Sequence, residues 1–332
     1  MINNKIDIPE KWLITGGCGF IGTSLIQRLA KNKHIKQIRV LDNLSVGTKD
    51  DLRNIVDFCD YSNLKDEGIF LKIGDIMDNN LCIEVSKNID CIIHLAANTG
   101  VPQSVKNPRL DMETNVVGTV NMLEAARING ISKFIFASSG APVGEIEPPI
   151  HEEIAPHPVS PYGASKLAGE GYCSSYYKTF GVNTIAVRFG NVYGPGSKHK
   201  SSVVAKFIKN VLDKLVCEIY GDGCQTRDFI FVLDLIDAIV KASSLKIGGE
   251  IFQIASGNEL TILELAEILK DLFFQLDYNM EFNFGAKRNG DVMRNYSDTS
   301  KAQRLLSWQP KTDFKKGLLE TINWFIIKNQ NP

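Results

Sequence analysis

Trp12-Leu13-Ile14-Thr15-Gly16-Gly17-Cys18-Gly19-Phe20-Ile21-Gly22 is the stretch that decides the fold. Its first four residues read as a short apolar strand, and Ile21, Leu25, Ile26 and Leu29 follow at helical spacing, which predicts a helix to Asn32. Strand, Gly-x-x-Gly-x-x-Gly turn and helix together are the context a dinucleotide-binding turn requires. The glycines permit a tight turn, let backbone N–H groups approach a pyrophosphate and allow close helix packing. The helix N-terminus then faces the phosphates. A second strand, Ile38-Arg39-Val40-Leu41-Asp42, ends in a carboxylate twenty residues after Gly22. An acid there accepts both hydroxyls of an adenosine ribose and repels a 2′-phosphate, and no arginine stands between Asn43 and Gly47. The expected cofactor is therefore NAD rather than NADP.

Further apolar runs follow at strand–helix–strand spacing. Ile69 to Ile73 leads to Gly74-Asp75-Ile76, and Cys91 to Leu95 falls within a run that ends His94-Leu95-Ala96-Ala97. Asn107-Pro108 predicts the start of one long helix to Asn129, closed by Gly130. Phe134 to Ala137 ends in Ser138-Ser139, and strands are expected again at Thr184 to Phe189 and Ile251 to Ile254. Alternating strands and helices imply an α/β protein with a parallel, doubly wound sheet covered on both faces. In such sheets ligands lie at the carboxyl ends of the strands, where the Gly16–Gly22 turn, Asp42, Asp75, Ala96, Ser139 and Asn191 all fall.

Composition narrows the partners. The 332 residues are 44% hydrophobic and 23% charged with a formal net charge of −1, which offers nothing for nucleic acid or an anionic membrane. The longest apolar runs are strand length, far short of a bilayer span, and the N-terminus lacks a signal-peptide pattern. The seven cysteines (18, 59, 82, 91, 173, 217 and 224) are dispersed and include no Cys-x-x-Cys, as expected of reduced thiols in a cytoplasmic protein without metal.

Tyr162-Gly163-Ala164-Ser165-Lys166 carries the chemistry. Ser160 and Pro161 read as an N-cap and a first-turn proline, so Tyr162 and Lys166 lie one turn apart on one helix face. A phenol normally titrates near ~10, and bringing it to ~7 takes about 4 kcal/mol of preference for the phenolate. One cation at about 5 Å supplies roughly 3 kcal/mol at an effective dielectric of ~20. An oxidised nicotinamide ring is a second positive charge. About 0.7 matches to Tyr-x-x-x-Lys are expected by chance in such a chain, and Tyr61-Ser62-Asn63-Leu64-Lys65 is a second one. Ser139, at a strand end 23 residues before Tyr162, selects between them, because its hydroxyl can hold a substrate oxygen that the phenol protonates or deprotonates.

These elements resemble the extended short-chain dehydrogenase/reductase family, within it the NAD-dependent epimerases and dehydratases of nucleotide sugars. The matching residues are Thr15-Gly16-Gly17-x-Gly19-Phe20-Ile21-Gly22, Asp42-Asn43, Asp75-Ile76, His94-Leu95-Ala96-Ala97, Asn115-Val-Val-Gly-Thr119, Ser139 and Tyr162-x-x-x-Lys166, followed by Arg188-Phe-Gly-Asn191-Val-Tyr-Gly-Pro195, Gly221-Asp-Gly, Arg227-Asp228 and Arg288-x-x-Asp291. The resemblance implies a Rossmann domain from 1–188 plus about 229–258 that binds NAD. A smaller C-terminal α/β domain, from about 189–228 plus 259–332, binds a nucleotide-diphospho-sugar, and the two interleave in sequence. Cofactor contacts are implied for Gly16, Gly19, Phe20, Ile21, Gly22, Asp42, Asn43, Asp75, Ile76, Leu95, Ala96, Ala97 and Asn115, and for Tyr162 and Lys166. Tyr162 is the implied acid/base, Ser139 its assistant and Lys166 the holder of the nicotinamide ribose. For the substrate, Arg227 and Arg288 suit the diphosphate, with Asn191 as a further donor, Tyr220 suits the base and Asp291 the uridine ribose.

Ser139 is followed by Gly140-Ala141-Pro142, with no ionisable residue before Glu145. Elimination of water needs a base for a C–H proton, so this departure from the dehydratases speaks against dehydration. The chain is most similar to the 4-epimerases of UDP-glucose and UDP-N-acetylglucosamine, with a decarboxylase, reductase or 2-epimerase of the same scaffold, or an NAD-binding sensor, as alternatives. Asn295 stands where a tyrosine would narrow the sugar pocket, which favours N-acetylated sugars. A homodimer is also implied, through a four-helix bundle of the 107–129 helix and the Tyr162 helix, with Ala164, Ala168, Gly171 and Ser175 permitting close approach or packing within the subunit.

Overall fold

The computed structural model describes residues 8–287 and 292–330. The chain begins with β1 (Lys11–Thr15), α1 (Phe20–Ala30), β2 (Gln37–Asp42), α2 (Lys49–Arg53), β3 (Cys59–Asp60), β4 (Gly68–Ile73), α3 (Asn79–Val85) and β5 (Cys91–His94). It continues through α4 (Val101–Lys106), α5 (Pro108–Met112), α6 (Gly118–Ile128), β6 (Lys133–Ala137), α7 (Pro161–Phe180) and β7 (Asn183–Phe189). Then come β8 (Asn191–Tyr193), α8 (Val203–Leu212), β9 (Cys217–Tyr220), β10 (Thr226–Arg227), β11 (Phe229–Phe231), α9 (Val232–Ser243) and β12 (Glu250–Ile254). The last elements are β13 (Leu260–Thr261), α10 (Ile262–Phe274), β14 (Phe282–Gly285), α11 (Ser300–Leu306) and α12 (Phe314–Gln330).

Eight strands form one sheet in the order β12-β7-β6-β5-β1-β2-β4-β3. The pairs from β7 through β3 are all parallel. Strands buried on both faces need continuous apolar runs, and β2 is buried at all six positions. Its one cation, Arg39, is satisfied internally, donating to Gln37 Oε1 and to the carbonyls of Val85 and Lys87. The sheet grows outward from β1 in both directions, with Thr15 beside Leu41 on one side and His94 on the other. That reversal is the switch point where ligands of open α/β sheets sit.

The chain divides into two compact units, the first made of Met1–Gly144, Glu152–Arg188 and Ile236–Phe252, the second of Glu145–His151, Phe189–Leu235 and Gln253–Pro332. Residues 145–151, 229–235 and 253–258, expected in the nucleotide-binding part, group with the second unit. Local pairing is the reason: Ile150 bridges Ser297, and β11 pairs with β8. The first unit's core is built around Leu13, Ile92, Leu123, Phe134 and Phe136, each worth roughly 2 kcal/mol in removed apolar surface. The second unit has its own core, including Phe207, Phe229, Leu269, Phe273 and Phe325. It is a smaller α/β body with parallel pairs β8–β11 and β9–β14 and an antiparallel pair β10–β13.

The helix expected from Asn107 to Asn129 starts as read, with Asn107 capping Leu110 and Pro108 in the first turn. It is interrupted by a π-turn at Glu113–Val117 before α6, and Gly130 follows at φ +66°. All seven cysteines are free thiols, five of them buried. No helix among the described residues is long and apolar enough to cross a membrane.

Candidate active site

The glycine turn is built around two close approaches. Gly16 lies at φ +68°, and a Cβ there would sit 2.8 Å from the backbone nitrogen of Ala96. A Cβ on Gly22 would meet the Gly16 carbonyl at 2.5 Å, so helix α1 can lie on the turn only with glycine there. Gly19 is the N-cap of α1, and neither a capping side chain nor an acidic residue occupies its first turn. The N–H groups around Phe20 and Ile21 therefore open the helix dipole toward an anion.

Asp42 is 8% exposed, and its carboxylate is aimed by two backbone donors, Cys18 N–H at 2.9 Å and Leu44 N–H at 2.8 Å. Burial raises its pKa and these hydrogen bonds oppose that. Asn43 and Asp75 come together, the amide donating to the carboxylate at 2.9 Å. The Ile76 side chain is packed in the core against Gly118, and its carbonyl accepts from Asn121 Nδ2 at 3.0 Å. Leu95, Ala96 and Ala97 leave the end of β5 half-buried, and the Ala96 N–H donates to Thr15 Oγ1.

Behind these residues runs a buried chain of hydrogen bonds that joins Thr15, His94, Asn115 and Thr119. Thr119 donates to the Asn115 carbonyl at 2.6 Å, so it accepts from His94 Nε2 at 3.1 Å. His94 Nδ1 then accepts from Thr15 Oγ1 at 2.8 Å, which assigns the Nε2–H tautomer. Burial, and secondarily the Lys166 charge, push the His94 pKa down to about 3, so the ring stays neutral. Asn115 sits within the π-turn, accepting from Asn98 N–H and placing its amide nitrogen near Asn98 O, Asp111 Oδ1 and Ser165 Oγ. It works as an internal strut between helices.

Tyr162 and Lys166 open α7 as expected, with Ser160 accepting from Gly163 N–H and Pro161 in the first turn. The ammonium lies 5.9 Å from the phenol ring centroid and donates to the Ala137 carbonyl at 2.8 Å. Ser139, at the end of β6, hydrogen-bonds the phenol and also accepts from Ala141 N–H at 3.2 Å. Burial pushes Tyr162 up to about 12, the Ser139 hydrogen bond pulling down and Asp111 pushing up. Burial draws Lys166 down to about 8, opposed by Asp111, Cys173 and Glu170. Burial is the largest influence on the phenol, so bringing it toward neutrality calls for a positive charge in addition to Lys166. Tyr61, the competing match, lies in a 3-10 turn under Arg39 and Lys72, with its hydroxyl 3.5 Å from Glu84 O.

The expected substrate residues Asn191, Tyr220, Arg227 and Asn295 all lie in the second unit. Arg227 Nη1 donates to the carbonyls of Thr226 and Val292, and Asn295 N–H donates to Thr226 Oγ1, so these two are held by one neighbour. Tyr220 accepts from Lys206 Nζ at 3.2 Å. Asn191 donates its backbone N–H to Asp228 O at 2.9 Å in the β8–β11 pair. Arg288 and Asp291 lie outside the described residues.

Comparison with known proteins gives this geometry a context. Residues 12–255 match the model of the NAD dependent epimerase/dehydratase family. The chain is 35% identical over 323 residues to the UDP-glucose 4-epimerase of Mycolicibacterium smegmatis, covering 96% of this chain and 99% of that protein. A UDP-N-acetylglucosamine 4-epimerase from Methanobrevibacter ruminantium M1, solved with UDP-N-acetylmuramic acid, superposes with a TM-score of 0.86 at 31% identity over 96% of this chain and 99% of that one. A dTDP-glucose 4,6-dehydratase from Streptomyces venezuelae, solved with NAD, gives a TM-score of 0.85 at 28% identity over 96% and 98%.

Proposed function

The chain belongs to the NAD-dependent epimerase/dehydratase family and takes NAD as its cofactor, and we propose on that premise that it is a 4-epimerase of UDP-hexoses. The observation that carries this reading is the site around Tyr162. The phenol is hydrogen-bonded by Ser139 and accompanied by Lys166, while no ionisable side chain occurs from Ser138 to Gly144. A strand end without an ionisable side chain over residues 138–144 suits chemistry at a hydroxyl and not elimination of water.

NAD, when bound, supplies a hydride acceptor and a positive charge beside the phenol. The chain's own residues do the rest. Thr15, Gly16 and Ala96 shape the turn, the α1 N-terminus receives the diphosphate of the cofactor, and Asp42 receives the adenosine ribose hydroxyls. Ser139 orients the sugar 4-hydroxyl, and Tyr162 takes its proton and later returns one. Epimerisation further requires the 4-keto sugar to turn over between the two transfers, so the nucleotide is held firmly and the sugar loosely. Arg227 and Asn191, with Arg288 and Asp291, are the proposed nucleotide and diphosphate contacts, and Tyr220 the base contact. Asn295, smaller than the tyrosine that would narrow the pocket, supports an N-acetylated sugar such as UDP-N-acetylglucosamine. Five buried free thiols accord with a cytoplasmic enzyme.

A homodimer completes the reading. Leu110, Val117 and Ile128 are exposed on the α5–α6 helix, and Ala164, Gly171 and Ser175 are exposed along α7. These faces suit pairing with a second copy as a four-helix bundle.

The test is incubation with UDP-galactose and UDP-N-acetylgalactosamine without reductant. Interconversion with the 4-epimers and no accumulation of reduced cofactor is expected. A product that has lost water, or carbon dioxide release from UDP-glucuronate, would replace the epimerase reading. Tyr162→Phe is expected to lower kcat by about 10³-fold, within the ordinary range of roughly 10²–10⁴ for one acid–base group, with NAD still bound.

A further inference from the structure

Helix α7 meets the end of β6 through three side chains spaced four residues apart. Tyr162 is hydrogen-bonded by Ser139, and the Lys166 ammonium donates to the Ala137 carbonyl at 2.8 Å. The third is Glu170, whose Oε1 accepts from Ser138 Oγ at 2.5 Å. Three consecutive strand-end residues are thus each tied to one turn of the helix.

Glu170 reaches further. Arg188, next to last in β7, donates from Nε to Glu170 Oε1 and from Nη2 to Oε2, both at 2.7 Å. Ser138, Glu170 and Arg188 are 0%, 3% and 2% exposed. One residue before Glu170, a Cβ on Gly169 would lie 2.4 Å from the Phe136 ring, so the helix rests directly on β6 at this point. Net stability does not account for the arrangement. A buried ion pair gains little over well-packed apolar residues of the same volume. Arg188 Nη1 has no hydrogen-bond partner among the described residues, which adds a cost. Nor does the pair set the strand register, because Ser138 N–H already donates to Val187 O. What it does is join α7, β6 and β7 immediately below the reacting groups.

We propose that Glu170 is a positioning residue: through Ser138 and Arg188 it locks α7 to the ends of β6 and β7 and so holds Tyr162 and Lys166 in register with Ser139. The proposal rests on the reading of Tyr162 as the proton-transfer group. Proton transfer requires heavy atoms within about 2.6–3.2 Å. A misplacement of about 1 Å lowers the rate roughly 10²-fold.

Glu170→Gln alone leaves a buried guanidinium without its counter-charge and is a poor test. The decisive variant is Glu170→Leu combined with Arg188→Met, which removes both charges and fills the space. We expect its melting temperature to stay within about 5 °C of the wild type. Its kcat on the UDP-sugar should fall ten- to hundred-fold, about the penalty of a 1 Å misplacement, with KM within about two-fold. A readout independent of substrate is the ultraviolet titration of the phenol in NAD-loaded protein, taken as the difference from the matching Tyr162→Phe protein. The charged neighbours of the phenol are Asp111 of α5 and Lys166 of α7. Loss of register weakens the Ser139 hydrogen bond, so the midpoint should rise by about half a pH unit or more. An unchanged midpoint with kcat within two-fold of wild type overturns the proposal. Should the wild type act on no UDP-sugar, the epimerase reading falls while the titration still decides the role of Glu170. If the double variant does not fold, Ser138→Ala decides, since it leaves the ion pair in place. The same upward midpoint shift supports the proposal, and no shift with unaltered kcat overturns it.

Discussion

At the scale of single residues, the site is governed by the cost of burying charge. Lys166 is 3% exposed and titrates at about 8, against an ordinary lysine value of 10.5. Between those values the unfolded chain holds the proton more tightly than the folded one, so the stability of the protein rises with pH across that window. Below about 8 the full penalty is present. Replacing the group with Lys166→Met should therefore flatten the profile. From pH 7 to 9.5 the wild type is expected to gain about 2 kcal/mol relative to the variant, measured as the difference in urea unfolding free energy at the two pH values. Equal pH slopes would mean that the ammonium is not destabilised in the folded state. The proposed role beside Tyr162 gives a reason to tolerate such a group. The neighbouring phenol is pushed up to about 12, and the ammonium, held by the Ala137 carbonyl, is the chain's own cation within reach of it. The placement of Tyr162, Lys166 and Ser139 was legible because cap, spacing and strand end agree in sequence. The size of the desolvation was not, since burial is decided by segments far away in the chain.

At the scale of elements, α7 carries the proposed proton-transfer group, and its closeness to β6 is set by Gly169. The Phe136 ring that a Cβ would strike is 1% exposed and backed by the core, so it has no room to yield. Gly169→Ala is expected to destabilise the fold by about 1–3 kcal/mol, although alanine is the better helix former. It should also lower kcat by shifting Tyr162 and Lys166 together; thermal melts and initial rates on the same preparation check both. A variant as stable and active as the wild type would show that the contact relaxes at no cost. Ser160-Pro161 announced the start of this helix in the sequence. The π-turn at Glu113–Val117 left no such mark, because one extra residue in a turn hardly disturbs an apolar pattern of period 3.6. Glu170 was passed over for a different reason. A carboxylate one turn after a lysine reads as a solvated helix face, and its partner Arg188 belongs to another strand. A charged residue inside the otherwise apolar run Thr184–Phe189 was the available signal, since a buried guanidinium must find a counter-charge.

At the scale of the whole molecule, the parallel sheet and its ligand-bearing end were readable from the alternation of strands and helices. The assignment of residues 145–151 and 253–258 was not, because pairings such as Ile150 with Ser297 join segments far apart in the chain. The state of assembly is also a question at this scale. Along α5, the π-turn and α6, Leu110, Val117 and Ile128 are 42%, 43% and 50% exposed, more apolar surface than a solvated helix pair needs. On α7 the small residues Ala164, Gly171 and Ser175 form an exposed strip, not packing within the subunit. A Cβ built on Gly171 meets nothing within 4 Å, so a large side chain there fits a lone subunit. Gly171→Arg should even favour the helix by up to about 1 kcal/mol, arginine being the better helix former. In a bundle of paired helices the same guanidinium enters the seam where backbones approach. The wild type is therefore expected to sediment at about twice the 36.8 kDa of one chain and Gly171→Arg near the single-chain mass. Far-ultraviolet circular dichroism should be unchanged. A variant that stays dimeric would move the interface to another face of the molecule. A wild type already monomeric would leave these apolar helix faces to a different partner.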